Sequence, residues 1–187
     1  MYRIRMHSRG GQGGKTAAKM LADAFFSEGK QVQAFSVYGA ERRGAPVVSF
    51  VRVDDKPILE RGYINDPECI IVMDDSLLKS TDELGLYRGL DAREFLIVNT
   101  RQKIKPPKKG VRLVTVDATS VARETMGREV FNTAMLGAFA AATGRVSLES
   151  LEKAIHDNLY RKYPDWIPKN ILAVKKTYEA VSGMIKK

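Results

Sequence analysis

Four glycines fall within five positions in the stretch Ser8-Arg9-Gly10-Gly11-Gln12-Gly13-Gly14-Lys15-Thr16. Residues 2–7, before it, alternate apolar and polar side chains, which is typical of a strand. Residues 16–28, after it, carry apolar side chains at helical spacing. A helix that begins at such a turn presents free backbone N–H groups, and glycine lets an anion approach them closely. The stretch therefore predicts a site for a phosphate-bearing ligand or for a closely docked partner.

The rest of the chain continues with strands and then becomes helical. Gly29 is expected to end the first helix, and a following strand completes a β–α–β unit, which favours a parallel sheet. Asp74 and Ser147 are expected to cap helical segments. The later strands are predicted over residues 31–35, 47–53, 69–73, 94–98 and 111–116, and the later helices over residues 120–126, 129–142, 148–160 and 169–185. These patterns predict an α/β fold, with a mostly parallel sheet flanked by helices and a helical C-terminal third, in a single domain over residues 1–187.

The formal net charge of +9 on 187 residues suits anionic ligands, acidic partner proteins or nucleic acid. The basic residues are scattered, and no nucleic-acid-binding pattern is visible, so we expect no nucleic-acid partner. No apolar run has the length that a bilayer-spanning helix needs, and the N-terminus lacks the apolar region of a secretory signal. We therefore expect a cytoplasmic protein with no membrane partner.

Few residues are arranged for catalysis. The one cysteine, Cys69, excludes a disulfide within the chain and cannot supply the four thiolates of an iron–sulfur cluster. No serine–histidine–aspartate or cysteine–histidine set is recognisable. His7 ends the first strand beside the glycine turn, where a structural role is favoured over contact with a ligand. The sequence therefore predicts an anion site without catalytic residues or a metal of its own.

Two nucleotide-binding patterns fit the glycine turn incompletely. Gly14-Lys15-Thr16 resembles the end of a P-loop, but that pattern requires glycine at position 9, where the chain has Arg9. A dinucleotide fingerprint that begins at Gly11 would place Thr16 at its third glycine, and no acidic residue ends the second strand to bind a ribose. A free-standing nucleotide-binding protein with a degenerate P-loop remains an alternative, as does a glycine turn that serves only tight packing.

A second charged segment, Glu41-Arg42-Arg43-Gly44-Ala45-Pro46, follows the second strand. Paired arginines suit bidentate binding of a phosphate or carboxylate, although they could instead pair with Glu41, Asp54 or acids of a partner subunit. We expect the first two strands to be neighbours. Because the carboxyl ends of parallel strands meet at one edge of a sheet, this loop is expected to lie near the glycine turn.

Three motifs of the chain resemble the gamma subunit of pyruvate:ferredoxin oxidoreductase, in the 2-oxoacid:ferredoxin oxidoreductase family. They are Ser8-Arg9-Gly10-Gly11-Gln12-Gly13, Tyr38-Gly39-Ala40-Glu41-Arg42-Arg43-Gly44-Ala45-Pro46-Val47 and Phe131-Asn132-Thr133-Ala134-Met135-Leu136-Gly137-Ala138. The resemblance covers residues 2–178, and the first two motifs at this separation are specific. Gly14-Lys15 departs from the apolar residues that relatives usually carry there, which explains the likeness to a P-loop.

This resemblance implies a non-catalytic subunit of a multisubunit enzyme. The enzyme would decarboxylate pyruvate, or else 2-oxoisovalerate, 2-oxoglutarate or indolepyruvate, on thiamine diphosphate, with coenzyme A as co-substrate and ferredoxin as electron acceptor. Thiamine diphosphate, magnesium and the [4Fe-4S] clusters would belong to the partner alpha, beta and delta subunits, and this chain alone would hold none of them. The resemblance, together with the anion-suited turn, assigns binding of coenzyme A phosphates or locking of the subunit interface to Gly10, Gly11, Gln12, Gly13, Arg42 and Arg43.

Overall fold

The computed structural model describes residues 1–38 and 44–185. In that part of the chain, one sheet is formed by the strands β1 (Tyr2–Arg9), β2 (Gln31–Tyr38), β3 (Pro46–Asp54), β4 (Cys69–Val72), β5 (Phe95–Asn99) and β6 (Arg112–Val116). The helices are α1 (Gly14–Ser27), α2 (Ala118–Met126), α3 (Asn132–Thr143), α4 (Leu148–Leu159) and α5 (Ile167–Ile185). Short 3₁₀ segments cover Asp75–Ser80 and Pro164–Trp166. This order of elements confirms the predicted α/β fold with a helical C-terminal third.

The strands lie across the sheet in the order β2-β3-β1-β4-β5-β6. The pairs from β1 to β6 are parallel, whereas β3 runs antiparallel to both β1 and β2. The sheet is therefore mostly parallel, as predicted. The expectation that β1 and β2 are neighbours is wrong, because the short connection between β2 and β3 makes them an antiparallel pair and β3 comes to lie between β2 and β1. All strands except β3 still end at the same edge of the sheet.

One side of the sheet, here called the helix face, carries Ile4, Met6, Val51 and Ile71. All five helices contribute buried apolar side chains to the core on this side. Within it, the rings of Phe25 and Phe139 meet edge to face with centroids 6.2 Å apart. The amphipathic spacing of the helices thus accounts for the larger core of the described structure.

The opposite side of the sheet, here called the loop face, is covered without long helices. Over β4 and β5, a small apolar cluster joins Ile70 and Val72 to Leu77 and Leu86, which belong to the 3₁₀ segment and the irregular chain after it. Over β1 and β3, the loop face instead buries the guanidinium groups of Arg5 and Arg52, exposed by only 4% and 1%. The two halves of this face are therefore held by different kinds of interaction.

Local signals in the sequence place most element ends correctly. Gly29 follows α1 with φ 83°, and its N–H donates to the Phe26 carbonyl, as expected of a residue that ends a helix. Asp74 and Ser147 accept hydrogen bonds from the backbone of Ser76 and Ser150, which confirms both predicted caps. Helix α3 begins at Asn132, later than its apolar pattern suggests. Only the ends of elements shift in this comparison, not their type.

Candidate functional site

The glycine turn leads from β1 directly into α1, which begins two residues earlier than its apolar spacing indicates, at Gly14. Gly13 is the N-cap residue, with φ 80°, and no described side chain caps this end of the helix. The first turn contains no acidic residue, and Lys15 adds a positive charge. An uncapped helix N-terminus of this kind has a positive partial charge and free N–H donors, so it attracts an anion.

Close packing explains why two of the glycines cannot be larger. A Cβ added to Gly13 would lie 2.7 Å from Nδ2 of Asn132, at the start of α3, and a Cβ added to Gly14 would collide with the Ser8 hydroxyl. Gly11 is different, because it has φ 96° and open space where a Cβ would stand. Tight packing therefore accounts for Gly14, the conformation of the turn accounts for Gly11, and both apply to Gly13 with its φ of 80°.

Gln12 connects the glycine turn to Asp74, which follows the neighbouring strand β4. Its Oε1 accepts from the Arg9 N–H at 2.7 Å, and its Nε2 donates to Oδ2 of Asp74 at 2.5 Å. Burial opposes ionisation of Asp74, but hydrogen bonds from Ser76 and Gln12 and the charge of Arg9 outweigh it and lower the pKa of this carboxyl. Arg9 itself donates to the Ser76 hydroxyl at 2.9 Å. The turn is therefore anchored on side chains that follow β4.

A cleft of about 370 Å³ opens beside Gly13, between α1, the start of α3 and the start of α5. Asn132 lines it, is 6% exposed, and has an Oδ1 that accepts no hydrogen bond from the described residues. A buried acceptor without a donor is costly, but this atom is closed off from the cleft, so a ligand could bond to it only after the side chain turned. On the outer wall of the cleft, two cations lie over the Trp166 ring. Cζ of Arg128 is 4.7 Å and Nζ of Lys169 is 4.9 Å from the ring centroid. The cleft is thus lined by an amide side chain and bordered by positive charge.

A second cleft, of about 380 Å³, lies at the edge where β1, β4 and β5 end. Its charged groups largely satisfy each other: Arg101 binds Asp117 at 2.7 Å, and Thr100 donates to Asp75 at 2.6 Å. Asn99 donates to the Met73 carbonyl and so joins β5 to β4. With its cations already paired to carboxylates, this cleft suits an anion less well than the cleft beside Gly13.

Gly10, Gly11, Gln12 and Gly13 form the turn between β1 and α1. Arg42 and Arg43 lie outside the described residues. The chain immediately after them does reach the turn, because the Gly10 N–H donates to the Ala45 carbonyl at 2.8 Å. Asp54, a proposed alternative partner for these arginines, pairs with the N-terminal amine at 3.0 Å.

His7 has a structural role, as the sequence favoured. It is 3% exposed, and its Nε2 accepts from Arg5 Nε at 3.2 Å. Burial and then the charge of Arg5 lower its pKa to about 3, so the ring is neutral in the folded protein. Cys69 is also fully buried, which raises the pKa of its thiol. Cys69 is therefore not available to a ligand, whereas His7 lines a cleft of about 230 Å³ on the loop face.

Reasoning from the sequence missed Asn132 and Trp166 as lining residues of the cleft. Asn132 stands at the first position of an alanine-rich helix, and a polar amide beside so many small apolar residues was the available signal. Among the described residues, no three His, Cys, Asp or Glu side chains are grouped to hold a metal ion. None of the described helices has the length and hydropathy to cross a bilayer.

Comparison with known proteins identifies the family. Residues 3–180 match the model of the pyruvate ferredoxin/flavodoxin oxidoreductase family. The chain is 45% identical to the pyruvate/ketoisovalerate oxidoreductases common subunit gamma of Pyrococcus furiosus, over 96% of both chains. It is 41% identical to pyruvate synthase subunit PorC of Methanothermobacter thermautotrophicus, over 98% of both.

Solved structures give the same result. Pyruvate oxidoreductase subunit PORC of Thermotoga maritima superposes with a TM-score of 0.80 at 35% identity, over 95% of both chains. A 2-oxoglutarate:ferredoxin oxidoreductase of Magnetococcus marinus shares the fold alone, with a TM-score of 0.80 at 18% identity, and this chain spans 31% of its length. The chain therefore belongs to the pyruvate ferredoxin/flavodoxin oxidoreductase family, as a gamma subunit.

Proposed function

We propose that this chain is the gamma subunit of a multisubunit enzyme that oxidatively decarboxylates pyruvate, transfers the acetyl group to coenzyme A and reduces ferredoxin. The observation that carries this proposal is the end-to-end match to gamma subunits whose names specify pyruvate. The Pyrococcus relative is named for ketoisovalerate as well. A branched 2-oxoacid is therefore the second substrate candidate, ahead of 2-oxoglutarate and indolepyruvate.

The redox chemistry is assigned to other subunits. A [4Fe-4S] cluster requires four thiolates, and this chain has one cysteine. We therefore place the clusters, together with thiamine diphosphate and its magnesium ion, in alpha, beta and delta subunits, with this chain as a non-catalytic member of the complex. Thiamine diphosphate would supply the carbanion chemistry of decarboxylation there. We further propose that the complex works in the cytoplasm.

The contribution proposed for this chain is to receive coenzyme A. The uncapped N-terminus of α1 and Lys15 suit its phosphates, and the cleft beside Gly13 offers room next to them. Gly10, Gly11, Gln12 and Gly13 would bring the backbone close to the phosphates, and Arg42 and Arg43 would neutralise them. The competing role for the same residues is contact with a sister subunit.

Kinetics of the reconstituted complex separate these two roles. The double variant Arg42→Ala, Arg43→Ala is expected to raise the KM for coenzyme A by about tenfold or more, since each lost charge-assisted hydrogen bond contributes about 1.5–3 kcal/mol. The matched control is Lys105→Ala, Lys109→Ala, which removes the same charge from an exposed loop and is expected to leave the KM unchanged. An intact complex with an unchanged KM would exclude the ligand role, whereas failure to assemble would support the interface role.

A further inference from the structure

Strand β2 forms one edge of the sheet, and its only neighbour among the described strands is β3. Its eight residues, Gln31–Tyr38, pair with β3 residue for residue, without a bulge. An edge strand carries a row of backbone N–H and C=O groups that point away from the sheet. Which groups point outward follows from the hydrogen-bond pattern of the neighbouring strands.

The pattern is set by β1 and β3. Gly10 donates to Ala45 across that antiparallel pair, so the odd-numbered residues of β3 direct their backbone groups towards β1. Even-numbered residues of β3, such as Phe50, consequently face β2, where Phe50 pairs with Phe35. The backbone groups of the alternate residues of β2 therefore point outward; these residues are Val32, Ala34 and Ser36.

Among the described residues, this edge shows none of the features that keep edge strands apart in monomeric proteins. Gln31–Tyr38 contains no charged residue and no proline, whereas such edges are commonly protected by lysine, proline, a bulge or short length. The other edge of the sheet, β6, is protected: it has five residues and starts at the exposed Arg112. The contrast within one sheet indicates that the β2 edge is covered in the working protein.

The side chains beside this edge define what would cover it. On the loop face, Phe35 stacks on Phe50 with ring centroids 4.9 Å apart, and Phe50 in turn meets Tyr63 at 5.7 Å. Tyr63 is 63% exposed, and Leu59 is 83% exposed. An added strand would place every second side chain next to this aromatic group, so apolar residues at alternate positions fit it.

We propose that the outward edge of β2 binds an extended segment of a net-acidic sister subunit, which adds a strand to the sheet. A second copy of this chain is the less suitable occupant, because each copy carries a formal net charge of +9 and would repel the other. Main-chain hydrogen bonds supply the affinity in such strand addition, and alternate apolar side chains supply the specificity. The inference rests on the proposed function only in that the partner is another subunit of the same enzyme.

The variant Ala34→Pro tests the pairing directly. Proline removes an N–H that points outward, so it deletes a bond to the added strand without deleting one to β3. Ala34→Ser, which keeps the N–H, is the matched control. The wild-type chain and both variants are co-expressed with the alpha, beta and delta subunits, and the complex is isolated through a tag on the alpha subunit. We expect at least about tenfold less gamma subunit with Ala34→Pro, which corresponds to about 1.4 kcal/mol, and no change with Ala34→Ser.

Residue-resolved hydrogen exchange on the wild-type chain provides a readout that does not depend on the variant's folding. In the isolated chain, the amides of Val32, Ala34 and Ser36 should exchange fast and those of Gln33 and Phe35 slowly. In the complex, the first three should slow by at least about tenfold.

The outcomes separate the inference from the proposed function. If the complex assembles and the three amides still exchange fast, the inference is wrong and the proposed function stands. If the wild-type chain does not join the complex at all, the proposed function is wrong as well. If the isolated chain is a dimer in which these amides are already slow, a second copy is the occupant and the proposed partner is overturned.

Discussion

The helix face and the loop face of the sheet are covered in different physical ways. On the helix face, long amphipathic helices bury apolar side chains against Ile4, Met6 and Val51. Over β1 and β3, the loop face is covered by irregular chain, and buried arginines make contacts there beside the aromatic group of Phe35, Phe50 and Tyr63. Arg5 donates to the carbonyls of Ile64, Leu86 and Arg88, among others.

The difference follows from where backbone hydrogen bonds go. A helix satisfies most of its own carbonyl groups, so it can cover a sheet with apolar side chains alone. An irregular segment cannot, and its carbonyls must find donors when they are buried. A guanidinium offers five N–H donors in a fixed plane. Arg5 and Arg52 therefore donate hydrogen bonds to the buried carbonyls of the loop segments, whereas in the helices the intrahelical bonds satisfy these groups.

The largest loss of folding stability is expected from a substitution in the core on the helix face. Phe139→Ala should lower the free energy of unfolding by about 3–5 kcal/mol, because it leaves a cavity in the core that the surrounding helices cannot fill. Phe139 is 0% exposed and packs against Phe25. Urea unfolding followed by circular dichroism measures the change.

An exposed phenylalanine provides the control for that experiment. Phe26 lies on α1 next to Phe25 but is 65% exposed. Phe26→Ala should change the free energy of unfolding by no more than about 0.5 kcal/mol. Similar losses in the two variants would show that the helix face is not the dominant core.

A smaller loss of folding stability is expected from a substitution on the loop face. Arg5→Met should cost about 2–4 kcal/mol, because it deprives several buried carbonyls of their donor, and each orphaned group costs about 1–3 kcal/mol unless it reaches water. The loss should be local. Hydrogen exchange should speed up in residues 62–65 and 85–88, which surround the guanidinium, while the helices keep their protection.

Arg61→Met is the matched control for Arg5→Met, since Arg61 is exposed and should contribute less than about 0.5 kcal/mol. If Arg5→Met instead destabilised the helices and the loop segments equally, the two faces would form one cooperative unit, and the contrast drawn between them would be wrong. If it stabilised the protein, apolar packing would be sufficient on both faces.

The helix face was largely predictable from sequence, and the loop face was not. Ala17, Met20 and Leu21 recur at helical spacing, so both the helix and its buried side can be inferred. The alternation of apolar and polar residues around Arg5 correctly predicts a strand. It does not predict whether the polar side of that strand is exposed to water or covered by a loop. The antiparallel direction of β3 could have been inferred from the sequence, because a connection as short as that between β2 and β3 permits a hairpin but not a crossover.

The candidate site shows the same limit. The anion-suited turn at Gly11 and Gly13 was predictable, because a glycine turn between a strand and a helix has a local signature. Asn132 lies far away in sequence and meets Gly13 only through the packing of α3 on α1, with its Nδ2 3.4 Å from the Gly13 carbonyl. No local pattern encodes a contact of that kind, which arises from tertiary structure.

The smallest effect is a pH dependence of folding stability that arises from His7 on the loop face. His7 is buried and neutral, with its pKa lowered to about 3 by burial and by Arg5, whereas the unfolded chain has an ordinary histidine pKa of about 6.5. Below pH 6.5 the unfolded state binds a proton that the folded state does not. The stability contributed by neutral His7 is therefore complete above pH 6.5 and is lost progressively as the pH falls towards 3.

Between pH 7 and pH 5, His7 should lower the free energy of unfolding by about 2 kcal/mol. At pH 5 the pH lies about 1.5 units below the pKa of the unfolded histidine, and each unit contributes about 1.4 kcal/mol. His7→Gln keeps an acceptor for Arg5 but does not titrate, so its stability should fall by about 2 kcal/mol less over the same range. His156→Gln is the matched control, because it removes the other histidine of the chain, whose side chain is 60% exposed. Equal slopes for wild type and His7→Gln would mean that water in the cleft lined by Arg5 and His7 solvates the charged ring, and that burial does not hold it neutral.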